Sequence, residues 1–371
     1  MTALITVLAI LVVLVCAAAI GVGTVVARRI VLPHPKRRVP VLGAGPDSVT
    51  VPAGPATTAP GVHRAYFGNR DARSVLLGPV RAAPSEGTVA RPIIGGTAPT
   101  SEDSLVWSGY VPDDPAELGP YEEVVYSRRT GRQAWLLPGT ATQPANADTW
   151  TIHVHGMHSE RRAVLRGLSP ALEQGMPALV VTYAGDHETP GPNLVTLGQN
   201  EWRDVDDAID YALAHGAHKV ILFGWSMGAT AALLAATHGT HRAAIAGIVA
   251  ICPVFDWPAA ITAGVRAAHL PAVVAHAGVL ILTTPILHQL AGLPRRLRRR
   301  DLRPALPPQL PILTVYSRGD EQAPSAVTEA LAARHPALEL VRFPAVPHGL
   351  EVNSDPGLYH LSASQFLRCR A

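Results

Sequence analysis

The chain has 371 residues, 48% of them hydrophobic and only 16% charged, with a formal net charge of +3. That length supports one large domain plus extensions, while so small a charge, with no basic stripe interleaved with aromatics, speaks for no nucleic-acid partner. Cys16, Cys252 and Cys369 are the only cysteines; they allow no disulfide framework and fit a reducing compartment.

Residues 2–27 contain no charged side chain and are rich in Leu, Val, Ile and Ala. A helix of about 20 apolar residues crosses a bilayer core, so this run is expected to be a single transmembrane anchor. A cleavable signal peptide would want a basic n-region and a shorter apolar core, and the run has neither. Arg28, Arg29, Lys36, Arg37 and Arg38 follow the run and no basic residue precedes it. The positive-inside rule then places the rest of the chain in the cytoplasm. Residues 28–120 read as a basic flank, a linker and an irregular, β-rich lead-in, with SVTVP and TVARPII as short strands.

From Tyr121 the pattern becomes regular. YEEVVYS and RQAWLLP flank a hairpin turn, and TWTIHVH is the next strand. ERRAVLRGLSPALEQG has helical apolar spacing. Strands PALVVTYA, HKVILFGW, AIAGIVAICPVF, PILTVYS and LELVRFP then alternate with helices, among them EWRDVDDAIDYALAHG and the segment after SMGAT. Near-continuously apolar strands alternating with helices predict a mostly parallel sheet covered on both faces, an α/β architecture. An apolar, Pro-punctuated insertion at about 256–308 is expected to form a helical cap. It ends in Arg295, Arg296, Arg298, Arg299 and Arg300, candidates for anionic lipid at about 1 kcal/mol per residue near a membrane surface.

Gly224-Trp225-Ser226-Met227-Gly228 fits G-x-S-x-G between an apolar strand and an Ala-rich helix, the context of a nucleophile elbow. Such an elbow exposes the serine Oγ above the sheet, and the following helix N-terminus favours developing negative charge. A serine nucleophile needs an acid and a base, ordered Ser, Asp or Glu, His along the chain. Asp320 and His348 each lie just past a strand in that order, with Glu321 and Asp256 as alternatives to Asp320. Earlier in the chain, TIHVHGMHSE places His153, His155 and His158 within six residues. Alternation puts His153 and His155 on one strand face, as paired metal ligands would be. However, Met157 stands where H-x-H-x-D-H would have its acid, and no other cluster completes a metal site.

Residues 121–371 resemble the α/β-hydrolase superfamily, and more closely membrane-anchored serine hydrolases of actinobacterial type. The resemblance is carried by TWTIHVHG, LGQNEWRDVDDAIDYALAHGAHKVILFGWSMGA, PVFDW, PILTVYSRGDEQAP and HGLEVNSDP. It implies catalysis by Ser226, Asp320 and His348 without cofactor or metal. It also implies an oxyanion hole from the backbone N–H groups of Met157 and Met227, with Gly156, Gly224 and Gly228 allowing close approach and His155 buttressing the loop. Two departures stand out: VTYAGD lacks the Arg often found after its Tyr, and the segment 31–120 has no counterpart in minimal members. The expected activity is hydrolysis of an ester, thioester or lipid acyl bond. A peptidase or amidase with the same residues, and an inactive tethered binding protein, are the competing readings.

Overall fold

The computed structural model describes residues 2–81, 85–139, 146–189 and 191–370. Its first element is the 30-residue helix α1 (Thr2–Val31). The helix outlasts the uncharged run because arginine is a good helix former and Arg28 and Arg29 suit the negative end of the helix dipole. Leu4–Val31 is long and apolar enough to cross a membrane. Through Val22 the described side chains are exposed, whereas Ala27 and Val31 are fully buried in the main core.

Residues 38–108 are more regular than their Pro- and Gly-rich composition suggests. Strands β1 (Arg38–Pro40), β2 (Gly43–Ala44), β3 (Ser48–Pro52), β4 (His63–Phe67), β5 (Arg73–Leu77), β6 (Thr88–Gly96) and β7 (Ser104–Ser108) form one sheet, ordered β1-β7-β4-β5-β6-β3-β2. Every pairing in it is antiparallel. The segment is β-rich as expected, and its strands are ordered into this one sheet rather than scattered. Most of these strands are five residues or shorter, too short for alternation to stand out in sequence. Val49, Val51, Phe67, Leu77 and Leu105 make its core. The buried Arg91 guanidinium donates to the carbonyls of Thr57, Ala59, Gly61 and Gly78, fixing the loop that leads into β4.

The second sheet has eight strands: β8 (Glu122–Ser127), β9 (Arg132–Leu137), β10 (Thr149–Val154), β11 (Ala178–Val181), β12 (Lys219–Trp225), β13 (Ile245–Ile251), β14 (Ile312–Ser317) and β15 (Leu338–Phe343). Their order is β15-β14-β13-β12-β10-β11-β9-β8. The pairings of β9 with β8 and β11 are antiparallel and the rest parallel. Helices α2 (Ser169–Leu172), α3 (Glu201–Ala214), α4 (Met227–His238), α5 (Trp257–Ala267), α6 (Val273–Thr283), α7 (Ser325–Ala332), α8 (Glu351–Ser354) and α9 (Pro356–Arg368) complete the domain. Side chains alternate between its two faces, as the period of a strand requires. Ile152, Val154, Val220 and Leu222 join one core with α3, α4 and the end of α1. Ile221, Phe223 and Trp225 join the other with α2 and α9. This is an α/β-hydrolase-like architecture.

The helix expected over ERRAVLRGLSPALEQG is instead a 3-10 segment, Arg161–Gly167, followed by the single turn α2. Pro170 has no N–H to bond the Arg166 carbonyl, so an α-helix cannot run through. Gly167 also lies against the sheet helix: a Cβ there would sit 2.9 Å from Tyr359 Oη. The insertion between β13 and β14 is helical, carrying α5 and α6. Its longer partner is α1, against which α6 packs. The close approach runs over glycines, since a Cβ on Gly23 would lie 2.8 Å from Ala277 O and one on Gly278 would lie 2.6 Å from Val26 Cγ1.

Candidate active site

Ser226 stands alone between the end of β12 and the start of α4, at φ 53° and ψ −113°. A non-glycine residue with positive φ carries strain, here held by the packing around it. A Cβ on Gly224 would come within 2.4 Å of Ala229 Cα, and one on Gly228 within 2.2 Å of Val154 O. Both glycines are therefore steric requirements of the turn, which presses the start of α4 onto the end of β10.

His348 Nε2 lies 2.8 Å from Ser226 Oγ, and its Nδ1 lies 2.6 Å from Asp320 Oδ2. The other oxygen, Asp320 Oδ1, accepts the Gln322 and Ala323 N–H groups, each at 2.8 Å. Those donors hold the carboxylate in one orientation. Burial disfavours the imidazolium of His348, but the hydrogen bond and charge of Asp320 outweigh it, so His348 titrates above its ordinary range. The two alternative acids lie elsewhere: Asp256 caps α5 through Ala259 N–H and pairs with Arg303, and Glu321 is exposed.

The loop after β10 lies against the serine. A Cβ on Gly156 would be 3.3 Å from Ser226 Cβ and 3.4 Å from Trp225 O. His155 Nε2 meets Asp186 Oδ2 at 2.8 Å, and the ring stacks on Tyr183 with centroids 4.1 Å apart. Tyr183 Oη donates to Gly156 O at 2.7 Å, so the His155–Tyr183–Asp186 group grips the loop at its glycine. Burial would raise the Asp186 carboxyl, but the charge and hydrogen bond of His155 hold it well below the usual range. His153 points to the other face, stacked 4.4 Å from Phe223, and burial lowers it to about 3. The two histidines thus serve different partners. Among the described residues, neither Met157 N–H nor Met227 N–H has a backbone or side-chain acceptor.

Several residues around the site carry no sequence signal of their own. Glu351, at the start of α8, is fully buried, and neither carboxylate oxygen meets a hydrogen-bonding partner in another described residue. Burial, against the countering charge of His348, pushes it up to about 7. Arg166 lies 4.4 Å over the Trp225 ring and donates to Asn353 Oδ1 at 2.6 Å. Asn353 Nδ2 in turn donates to Val62 O and Gly109 O of the lead-in. Tyr110 Oη lies 3.0 Å from Ser159 Oγ, beside the loop that holds Gly156. In the same loop, His158 Nε2 meets Ile30 O at 3.2 Å and Lys36 pairs with Glu160 at 3.0 Å.

No family model and no curated protein matches the sequence. Among solved structures the chain is similar to an esterase of Pyrococcus furiosus, with TM-score 0.53 and 18% identity over 69% of this chain and 94% of that one. Another crystal form of that esterase gives TM-score 0.50 and 17% identity over 69% and 93%. An esterase of Thermogutta terrifontis is similar at TM-score 0.45 and 18% identity over 68% and 99%. At these identities the likeness to the Pyrococcus esterase concerns the fold, that of α/β-hydrolases.

Proposed function

We propose that the protein is a membrane-anchored serine hydrolase that cleaves carboxylic ester, thioester or lipid acyl bonds. The carrying observation is the unbroken line Ser226 Oγ–His348–Asp320, with bonds of 2.8 and 2.6 Å, on a strained strand-to-helix turn. In this reading His348 takes the Ser226 proton as Oγ attacks the acyl carbonyl. Asp320 fixes the imidazole tautomer and stabilises its cation. The N–H groups of Met157 and Met227 bind the tetrahedral oxyanion; losing one such donor costs on the order of 10²–10³ in kcat. His348 then protonates the leaving group, and water, activated by the same ring, releases the acyl group.

Anchoring is supported by the way α1 enters the fold. Its exposed stretch through Val22 suits a bilayer, and its last turns are built into the core through Ala27 and Val31. Only a cut beyond Ala27 would remove these core residues. With Arg28, Arg29, Lys36, Arg37 and Arg38 after the span, the hydrolase domain at 121–371 lies on the cytoplasmic side. The substrate is a small or lipid acyl compound, and the insertion at 256–308 acts as a cap whose arginines reach anionic lipid.

Fluorophosphonate labelling of the full chain and of Ser226→Ala tests the reading. Labelling of the wild type alone is expected, and p-nitrophenyl esters of increasing chain length should compete for it. A folded wild type that does not label, or a Ser226→Ala variant that labels equally, overturns the assignment.

A further inference from the structure

The inserted helix α6 runs back along α1. Gly23 faces Ala277 and Ile281, whereas Val26 faces Gly278, so the two helices are antiparallel and the C-terminal end of α6 points toward the exposed part of α1. The loop that follows is tied to α1 by Arg28 Nη1, which donates to Leu290 O at 3.4 Å. At its tip, Leu287 N–H donates to Pro285 O at 2.8 Å across Ile286, which sits at φ 69° and ψ −51°. A γ-turn of this positive-φ kind is rare and strained, the more so for a β-branched residue. Ile286 is nevertheless 75% exposed, and Leu280 and Leu290 near it in the chain and Val22 and Val25 on the facing helix α1 are exposed too.

The surroundings of this apolar tip have a matching charge pattern. Leu297 N–H donates to Leu282 O, and Arg299 Nε donates to Thr283 Oγ1, so the arginine run folds back onto the end of α6. Arg295, Arg296 and Arg298 are exposed there. An exposed apolar tip with arginines folded back beside the helix that carries it has the chemistry of an interfacial membrane element on an anionic bilayer. Depth agrees with this. At the ordinary helical rise, residues 2–22 of α1 span about 30 Å, the thickness of a hydrocarbon core. The segment after Gly23, and the end of α6 beside it, then fall at the headgroup boundary.

We propose that the loop closing α6, with Ile286 at its tip, is a second membrane-docking element that inserts into the boundary of an anionic bilayer beside α1. The proposal rests on the reading of α1 as a bilayer helix. A single span leaves the domain free to rotate about the helix axis; a second contact removes that freedom and fixes which side of the hydrolase domain faces the lipid.

The test uses the full chain with Cys16→Ala and Cys369→Ser, keeping the buried Cys252. Single cysteines are placed by Leu11→Cys, Ile286→Cys or Leu361→Cys, labelled with a nitrobenzoxadiazole dye, and the protein is reconstituted into phosphatidylcholine–phosphatidylglycerol vesicles. Leu361 is exposed on α9, which packs on the far face of the sheet. Nitroxide placed shallow on the acyl chain should remove most of the emission at position 286. Deep nitroxide should quench position 11, and neither should quench position 361. Omitting phosphatidylglycerol, or combining Arg295→Gln, Arg296→Gln and Arg298→Gln, should weaken quenching at 286 alone. Quenching at 11 with a water-exposed, unquenched label at 286 overturns the docking element and leaves the anchor standing. An apolar but unquenched environment at 286 assigns the tip to a second copy of the chain and equally overturns it. No quenching at 11 instead removes the anchor reading on which the proposal rests.

Discussion

Glu351→Gln isolates a buried acid whose charge is coupled to that of His348. The wild-type carboxyl is fully buried without a partner in another described residue, and it titrates at about 7 against an ordinary 4.5. Because the folded state holds this proton more tightly than the unfolded state, its contribution to stability is intact below the unfolded value and is lost as pH rises through the folded one. At 1.36 kcal/mol per pH unit, that separation corresponds to about 3 kcal/mol once both states are ionised. Between about pH 5 and about pH 8.5 about 2–3 kcal/mol of it should disappear. For a chain of this size that is roughly a 3 °C fall in Tm. Glutamine has nearly the same shape and does not titrate. Thermal melts of both proteins across this range should therefore diverge at alkaline pH, the wild type melting lower by about that amount relative to its own acid value. His63 and His153 are held neutral by burial, at about 4 and about 3, and their opposite trend below pH 6.5 is common to both proteins and cancels in the difference. Parallel melting curves would show that Glu351 is not a buried titrating acid and would refute the reasoning.

Four further outcomes follow from the same geometry. In Gly156→Ala the new methyl falls 3.3 Å from Ser226 Cβ; the variant should fold normally yet lose kcat on the order of 10²-fold as the loop withdraws its N–H from the oxyanion position, read by ester kinetics. Because Asp320 raises His348, kcat/KM should climb with pH through a midpoint above 6.5, the deprotonated ring being the active base. Asp320→Asn should move that midpoint down, and an unmoved midpoint would detach Asp320 from the base. Asn353→Ala leaves Arg166, Val62 O and Gly109 O without their shared partner; a loss of about 1–3 kcal/mol per stranded buried group is expected, with faster hydrogen exchange near residues 62 and 109. Deleting residues 2–22 should preserve the melting temperature in detergent, whereas deleting 2–31 also removes buried Ala27 and Val31. The second deletion should cost at least about 2 kcal/mol and free the His158 loop.

The elbow was legible because its chemistry is local: G-x-S-x-G, the strand before it and the helix after it all lie within one short segment. Asp320 and His348 were legible by position, each closing a strand of an alternating pattern. Glu351, Asn353 and Arg166 were not, since each acts across the fold. Asn353 bonds carbonyls 291 and 244 residues away, and no spacing rule reaches that far. Asp186 lay in plain view in VTYAGD, but its bond to His155 depends on two neighbouring strand ends meeting. The regularity of the lead-in is hidden from the sequence for another reason. Its strands are short and its buried arginine is satisfied by backbone carbonyls alone, which leaves no side-chain motif to find.

The histidine-rich loop after β10 shows why these long-range contacts belong together. The lead-in touches it where Tyr110 meets Ser159, and the same domain reaches the His348 segment through Asn353 and the small core of Ala59, Val346 and Leu350. Helix α1 and its exit segment hold the loop as well, through Ile30 and Lys36. The loop's own glycine lies so close that a Cβ on it would be 3.3 Å from Ser226 Cβ. A backbone donor can serve a developing oxyanion only if it is fixed before the charge appears. A glycine-containing loop left to itself would not be fixed, because glycine lowers the cost of every alternative conformation. Tyr183 supplies part of that restraint at the glycine carbonyl, and α1 and the lead-in add contacts at His158, Ser159 and Glu160. In this chain the parts outside the eight-stranded-sheet domain therefore help to determine the geometry around Ser226.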